Sequence, residues 1–214
     1  MALIDITLPI DDNIPVWPGD SGFKFYADSR IKAGSSCNVS SFKTSCHAGT
    51  HMDAPWHFID NGEKIDEISP ELLIGEVLII DLSGIEGNIE KEHISSIPQG
   101  TKRLIIKTSN SLVGYTREFN RDFIGITPSS AKALVDKGVM LLGLDYLSIA
   151  ALTDDIEESH RIFLGREGVA ALEGLNLMDV AQGTYRLICM PLLIKGADGA
   201  PARVMLETIE TSEG

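Results

Sequence analysis

Apolar positions along this chain come in short runs, and the spacing within each run predicts an element. Leu3-Ile4-Asp5-Ile6-Thr7-Leu8 is a β-type run closed by Pro9. Phe23–Tyr26 and Asn38–Cys46 read as strands, the second leading into His47. Val77–Leu82 reads as a buried strand, and Leu104–Thr108 and Val139–Leu144 read as two more. Ser69-Pro70 has an N-cap serine with proline at the first helical position, which predicts a short helix. Asn88–Ile97 reads as a second short helix, capped by Asn88. Thr127-Pro128 opens a third that runs through Asp136 and stops at Gly138, with cap, proline and terminal glycine each in its favoured place. The order of strand, helix and strand from Leu104 to Leu144 predicts a right-handed βαβ crossover. Tyr185–Ile194, interrupted by Pro191, and Val204–Thr208 supply the last strands. The class is therefore α/β.

Composition changes this picture only at its edges. A chain of 214 residues with 43% hydrophobic residues can bury a substantial core and is most simply one domain. With 18 basic against 31 acidic residues the formal charge is −13, so nucleic acid is not an expected partner. The apolar runs are too short to span a bilayer and no basic export region precedes them, which predicts a soluble, cytoplasmic protein. Cys37, Cys46 and Cys189 show no Cys-x-x-Cys spacing and are expected as reduced thiols.

The stretch that carries chemistry is His47-Ala-Gly-Thr-His-Met-Asp-Ala-Pro-Trp-His57. Three of the five histidines fall in these eleven residues, where even scattering would place about a quarter of one. In an extended backbone His47, His51, Asp53 and His57 share one face, whereas a helix would turn Asp53 away and would be opposed by Gly49, Thr50 and Pro55. A straight strand would hold His47 and His57 about 33 Å apart, so the chain must bend. Gly49 can supply the bend and Pro55 can end the pairing, letting His47, His51 and Asp53 converge while His57 approaches from a following turn. Imidazole with carboxylate suits zinc, manganese or iron(II). Cys46 has an even position on the opposite face, which predicts a buried structural cysteine rather than a ligand.

Other candidates are weaker by local sequence. Trp17 sits on a stiff Pro-Val-Trp-Pro-Gly loop, and either lines a pocket or packs over a sheet edge. Glu173 ends an apolar run before Gly174, so it is either exposed or, if buried, in need of a metal or basic partner; Gly174 suggests close backbone approach. Tyr115, Phe119 and Phe123 follow a strand end, where binding groups are common. His93 lies in Glu-Lys-Glu-His, an ordinary solvated face.

The pattern His-x-Gly-Thr-His-x-Asp-x-Pro-x-His resembles the signature of the metal-dependent cyclase family, which includes bacterial kynurenine formamidases and isatin hydrolases. The likeness extends to Pro-Val-Trp-Pro-Gly-Asp at the start, Gly-Leu-Asp-Tyr-Leu-Ser in the middle, Leu-Glu-Gly-Leu after His160, and Asp-Gly-Ala-Pro-Ala-Arg near the end. It implies one metal on His47, His51 and Asp53, and a second on Asp53, His160 and Glu173. It also implies His57 as proton shuttle and Trp17 as a substrate contact. The metals implied are two zinc ions per subunit, alternatively manganese. Thr50 and Arg161 stand where formamidases commonly have alanine and a second histidine. The implied fold is a mixed, barrel-like sheet flanked by helices, of the swivelling β/β/α type, assembled as a homodimer or homotetramer. The implied activity is hydrolysis of an aryl formamide such as N-formylkynurenine. A cyclic amide or lactone of the isatin type is the rival substrate, and a non-catalytic metal-binding protein is the alternative of another class.

Overall fold

The computed structural model describes residues 2–113 and 118–209; the Tyr115 singled out above lies outside them. In chain order the described strands are β1 (Leu3–Asp5), β2 (Lys24–Ser29), β3 (Val39–Lys43), β4 (His51–Asp53), β5 (Ile74–Asp81), β6 (Arg103–Lys107), β7 (Leu141–Leu144), β8 (Ala170–Glu173), β9 (Gly183–Pro191) and β10 (Gly199–Thr208). The α-helices are α1 (Pro70–Leu73), α2 (Asn110–Val113), α3 (Pro128–Lys137) and α4 (Ile156–Leu164).

Seven strands form a closed ring in the order β10-β4-β8-β7-β6-β5-β9, because β10 is long enough to pair with two neighbours at different heights. Its first residues, Gly199–Pro201, pair with β4, and Ala202–Thr208 pair with β9. β1 is added beside the far end of β10. β5 to β8 run parallel and the remaining pairings are antiparallel, so the sheet is mixed. The expected β6–helix–β7 crossover is present as a parallel pair of neighbours.

Alternation sorts the apolar residues of this ring into two cores. Val77, Ile79, Ile105, Leu141, Leu172, Leu187 and Val204 meet inside the barrel, together with Met52 of β4. Leu104, Ile106, Leu142, Leu144 and Ala171 point outward and pack under Leu134 of α3 and Phe163 and Leu164 of α4. Strands covered on both faces read as continuous apolar runs, which is why β6 and β7 were legible.

One expected helix is absent. Residues 91–96 form turns with i→i−3 bonds, such as His93 N–H to Glu90 O, instead of a helix over Asn88–Ile97. Ile89 is tied to Ile126 in a β-bridge, and the Asn88 side chain accepts from Gly125 N–H, so the would-be cap and first turn are committed elsewhere. Conversely, α4 was not expected. Its buried face is Ser159, His160, Phe163 and Leu164, with Glu157, Glu158 and Arg161 outward.

Candidate metal centre

β4 shows how the site is built. Met52 enters the barrel core, so His51 and Asp53 face the outer layer. In the antiparallel register His51 lies directly opposite Glu173 of β8, placing imidazole and carboxylate on one face of adjacent strands. The chain bends before β4 at Gly49, whose φ is +67°, and after β4 at Pro55, which begins a 3-10 turn through His57. Thus His47 arrives from a turn and His57 from a helical turn, as the reach argument required. Gly174 holds the β8 end close to that bend, since a Cβ there would lie 2.2 Å from Gly49 O. Thr50 stitches the two together, donating from Oγ1 to Gly174 O at 2.5 Å and accepting from Leu8 N–H. His160 comes from the inner face of α4.

The ligand atoms of His51, Asp53 and Glu173 lie within 4.8 Å of one another, as do those of His47, Asp53 and His57. Asp53 therefore belongs to both groups. His160 Nε2 is 3.6 Å from Glu173 Oε1. All of the sequence-derived ligands and His57 meet in one cavity of about 480 Å³.

The donor set fits a cation. His51 is buried, its Nδ1 is 2.9 Å from Gly49 O, and a carbonyl can only accept, so Nδ1 carries the hydrogen. Its Nε2 is then a lone pair without a hydrogen-bond partner, 3.2 Å from Glu173 Oε2 and 3.4 Å from Asp53 Oδ1. A lone pair aimed at two buried carboxylates is repulsive unless a positive charge sits among them. His160 repeats it in part, with Nδ1 on Ile156 O at 2.8 Å and Nε2 turned to Glu173 at 3.6 Å, but there Ser148 Oγ lies 3.3 Å from Nε2 as a hydrogen-bond partner. Backbone carbonyls that fix the tautomer in this way are usual behind metal-binding imidazoles.

Protons take the cation's place electrostatically in the metal-free chain. Burial lowers the His47 pKa, but Asp53 and Asp198 outweigh it and push it up to about 11. His51 is likewise lowered by burial and raised, on balance, to about 9 by Asp53 and Glu173. Burial works against ionised Asp53, yet His47 and His51 hold its carboxyl well below the usual range. An entering cation has to displace these protons, so its affinity rises with pH.

The cavity wall is aromatic and apolar on one side, with Trp17, Phe58, Leu147 and Ile156. Trp17 is held edge-on to Phe119 and Phe123, and Phe58 stacks on His160 at 4.2 Å. Cys46 departs from expectation: it is half-buried and lines the cavity. The chain turns at residues 46 and 47, so strand alternation does not govern the direction of that side chain. Burial and the Asp198 charge hold its thiol above the usual range. His93 is absent from the cavity lining and accepts from Glu90 N–H instead. The residue not singled out beforehand is Asp198, which contacts both His47 and His57. An acid in a Gly-Ala-Asp-Gly turn was the available signal, but nothing local links it to histidines about 150 residues earlier.

The Cyclase family model matches residues 4–151. A kynurenine formamidase of Bacillus cereus is 35% identical over 207 residues, covering 96% of this chain and 97% of the relative. Cyclase-like protein 3 of Arabidopsis thaliana is 37% identical, covering 95% of this chain and 79% of its own length. The solved structure of a "predicted metal-dependent hydrolase" from Bacillus stearothermophilus superposes with a TM-score of 0.81 at 30% identity, over 96% of this chain and 97% of that one. The barrel, the outward-facing histidine and carboxylate cluster, and these likenesses along nearly the whole length agree: the chain belongs to the Cyclase family of metal-dependent hydrolases.

Proposed function

We propose that the protein is a metal-dependent amidohydrolase that cleaves an aryl formamide such as N-formylkynurenine to formate and the arylamine. The observation that carries this reading is the unpartnered His51 Nε2 between Asp53 and Glu173, at a cavity with Trp17 in its wall. The relatives named kynurenine formamidase support the substrate class. His47, His51, Asp53, His160 and Glu173 would hold two divalent cations, zinc or alternatively manganese. Such cations, when bound, acidify water and polarise a carbonyl oxygen. His57, 30% exposed on the cavity wall, takes a proton from the attacking water and passes it to the leaving nitrogen. Trp17 and Phe58 offer flat apolar surfaces to the aryl group and exclude water from it. The described residues contain no helix long and apolar enough to cross a membrane, and the three cysteines are free thiols, in keeping with a cytoplasmic location.

The test is hydrolysis of N-formylkynurenine, isatin and a simple lactone by chelator-stripped protein, with zinc or manganese restored. We expect formamide turnover to vanish on stripping and return with metal. Turnover of isatin alone would move the assignment to cyclic amides, and metal-loaded protein inert toward all three would reject a hydrolase of this kind.

The working form is a homo-oligomer that uses the β2–β3 ribbon. Among the described residues this ribbon has no third strand, and a two-stranded ribbon alone is marginal in water. It exposes Phe25 and Phe42, which pair across the strands. Between Lys24 and Lys43 it carries Lys24, Arg30, Lys32 and Lys43 against Asp28 alone, in a chain of charge −13. A second acidic copy of the same chain suits this basic, apolar arm. Replacing both Phe25 and Phe42 by Asp should shift sedimentation to monomer, weakening assembly by about 10³-fold if each aromatic anchor contributes roughly 2 kcal/mol. An unchanged sedimentation coefficient would remove the arm from the interface.

A further inference from the structure

The turn before β10 contains the residue that the hydrolytic reading leaves unused. Asp198 Oδ2 lies 2.8 Å from His47 Nε2 and 3.2 Å from His57 Nδ1. The two rings it touches are stacked, with centroids 4.1 Å apart and planes inclined by 28°. We infer that Asp198 is a positioning residue, a single carboxylate that sets the tautomer and the plane of both imidazoles.

The reason is directional. A carboxylate oxygen accepts and never donates, so each ring nitrogen facing it carries the hydrogen. For His57 that puts the proton on Nδ1 and leaves the Nε2 lone pair free, 4.0 Å from Asp53 Oδ2. For His47 it puts a proton on Nε2, while Nδ1, 2.8 Å from the Asp53 carboxylate, is the nitrogen that a cation would take in place of a proton. The free His57 nitrogen and the His47 nitrogen left for a cation then both point at Asp53, the residue common to the two ligand groups. Neutral imidazole in water favours hydrogen on Nε2, so without Asp198 the His57 ring would present the wrong nitrogen or turn over.

The backbone places this carboxylate firmly. Ala54 N–H donates to Asp198 O at 2.9 Å, Ile65 N–H donates to Ala197 O at 3.0 Å, and Gly196 N–H donates to Asp66 Oδ1 at 2.9 Å. Gly199 then pairs with Asp53 in the sheet. A Cβ on Gly199 would lie 2.8 Å from His47 Cε1 and 2.7 Å from Met52 O. The Asp198-Gly199 pair thus forms one cradle: the glycine leaves room for the His47 ring, and the aspartate anchors its outer nitrogen. An aspartate that served only its own turn would have no reason to bridge two stacked rings from the sequence-distant histidine stretch.

The inference rests on the reading that His57 moves the proton, but its test does not depend on the substrate. Zinc-loaded protein labelled with ¹⁵N would be examined by long-range ¹H–¹⁵N spectra of the histidine rings. The wild type should show His57 with hydrogen on Nδ1. Asp198→Ala and the near-isosteric Asp198→Leu, neither of which offers a side-chain acceptor, should both move His57 toward hydrogen on Nε2 or an exchanging mixture, with the amide spectrum elsewhere unchanged. On the formamide, kcat should fall about 10–100-fold with little change in KM, the usual size for a lost outer hydrogen-bond partner, and acetate should restore part of it in Asp198→Ala. If Asp198→Ala does not fold, Asp198→Leu gives the same reading. A His57 ring that keeps hydrogen on Nδ1 in a folded variant overturns the proposal. Should the wild type hydrolyse no formamide at all, the ring spectra still decide the matter.

Discussion

Asp53→Ala is expected to lose bound metal and to cost on the order of 10³–10⁴ in kcat/KM, the equivalent of several kcal/mol of charge stabilisation in the transition state. No other described residue belongs to both ligand groups. Its Oδ1 lies 2.8 Å from His47 and 3.4 Å from His51, and its Oδ2 lies 4.0 Å from His57, all from a side chain that is nearly inaccessible. Alanine leaves a void that cannot accept, and His47 and His51 then face only Asp198 and Glu173 on their outer sides. The loss of the carboxylate also removes the charge that raises both histidines, so their pKa values fall from about 11 and about 9. The measurement is elemental analysis of dialysed protein beside steady-state kinetics. Full occupancy with unchanged kcat/KM would remove Asp53 from the centre.

The size of that effect explains what could be read from the chain alone. The ligands of β4 were legible because strand geometry is periodic: His51 and Asp53 are two residues apart, so they must share a face, and Gly49 and Pro55 mark the bends on either side. The runs of β6 and β7 were visible for another reason: both faces are covered, so they read as continuous apolar stretches. Neither signal says anything about register between strands far apart in sequence. That His51 meets Glu173, or that Asp198 meets His47, depends on which strands the barrel brings together. For Glu173, likeness to a known family supplied what spacing could not; for Asp198 the likeness covered the Asp-Gly-Ala-Pro-Ala-Arg stretch it begins without giving it a role. His160 was legible as a ligand only through the same likeness, because the acidic residues around it hid the amphipathic period of α4. The absent helix at Asn88–Ile97 is the reverse case. Its local pattern was favourable, but the bridge from Ile89 to Ile126 holds the chain extended where the first turn should form.

His57→Ala should separate proton transfer from metal binding, lowering kcat by about 10²–10⁴, the usual contribution of a positioned acid or base, while leaving the metal in place. His57 sits on the 3-10 turn after Pro55, outside β4, and its ring is the most exposed of the site histidines whose exposure bears on the reaction, at 30% against 13% for His47 and 1% for His51. A ring that must exchange protons with water and with a leaving group needs that access; one that holds a cation in a buried cluster does not. His57 stacks on His47 and approaches Asp53 Oδ2 at 4.0 Å, but the ligand atoms of His51, Asp53 and Glu173 gather without it, so that group persists when the ring is removed. The variant should therefore keep wild-type metal content, and added imidazole should recover part of the rate by filling the vacated place. Metal loss comparable to that of Asp53→Ala would make His57 a ligand. Wild-type turnover with metal retained would remove His57 from proton transfer and leave that role to another group on the cavity wall, such as Asp198 or Glu157.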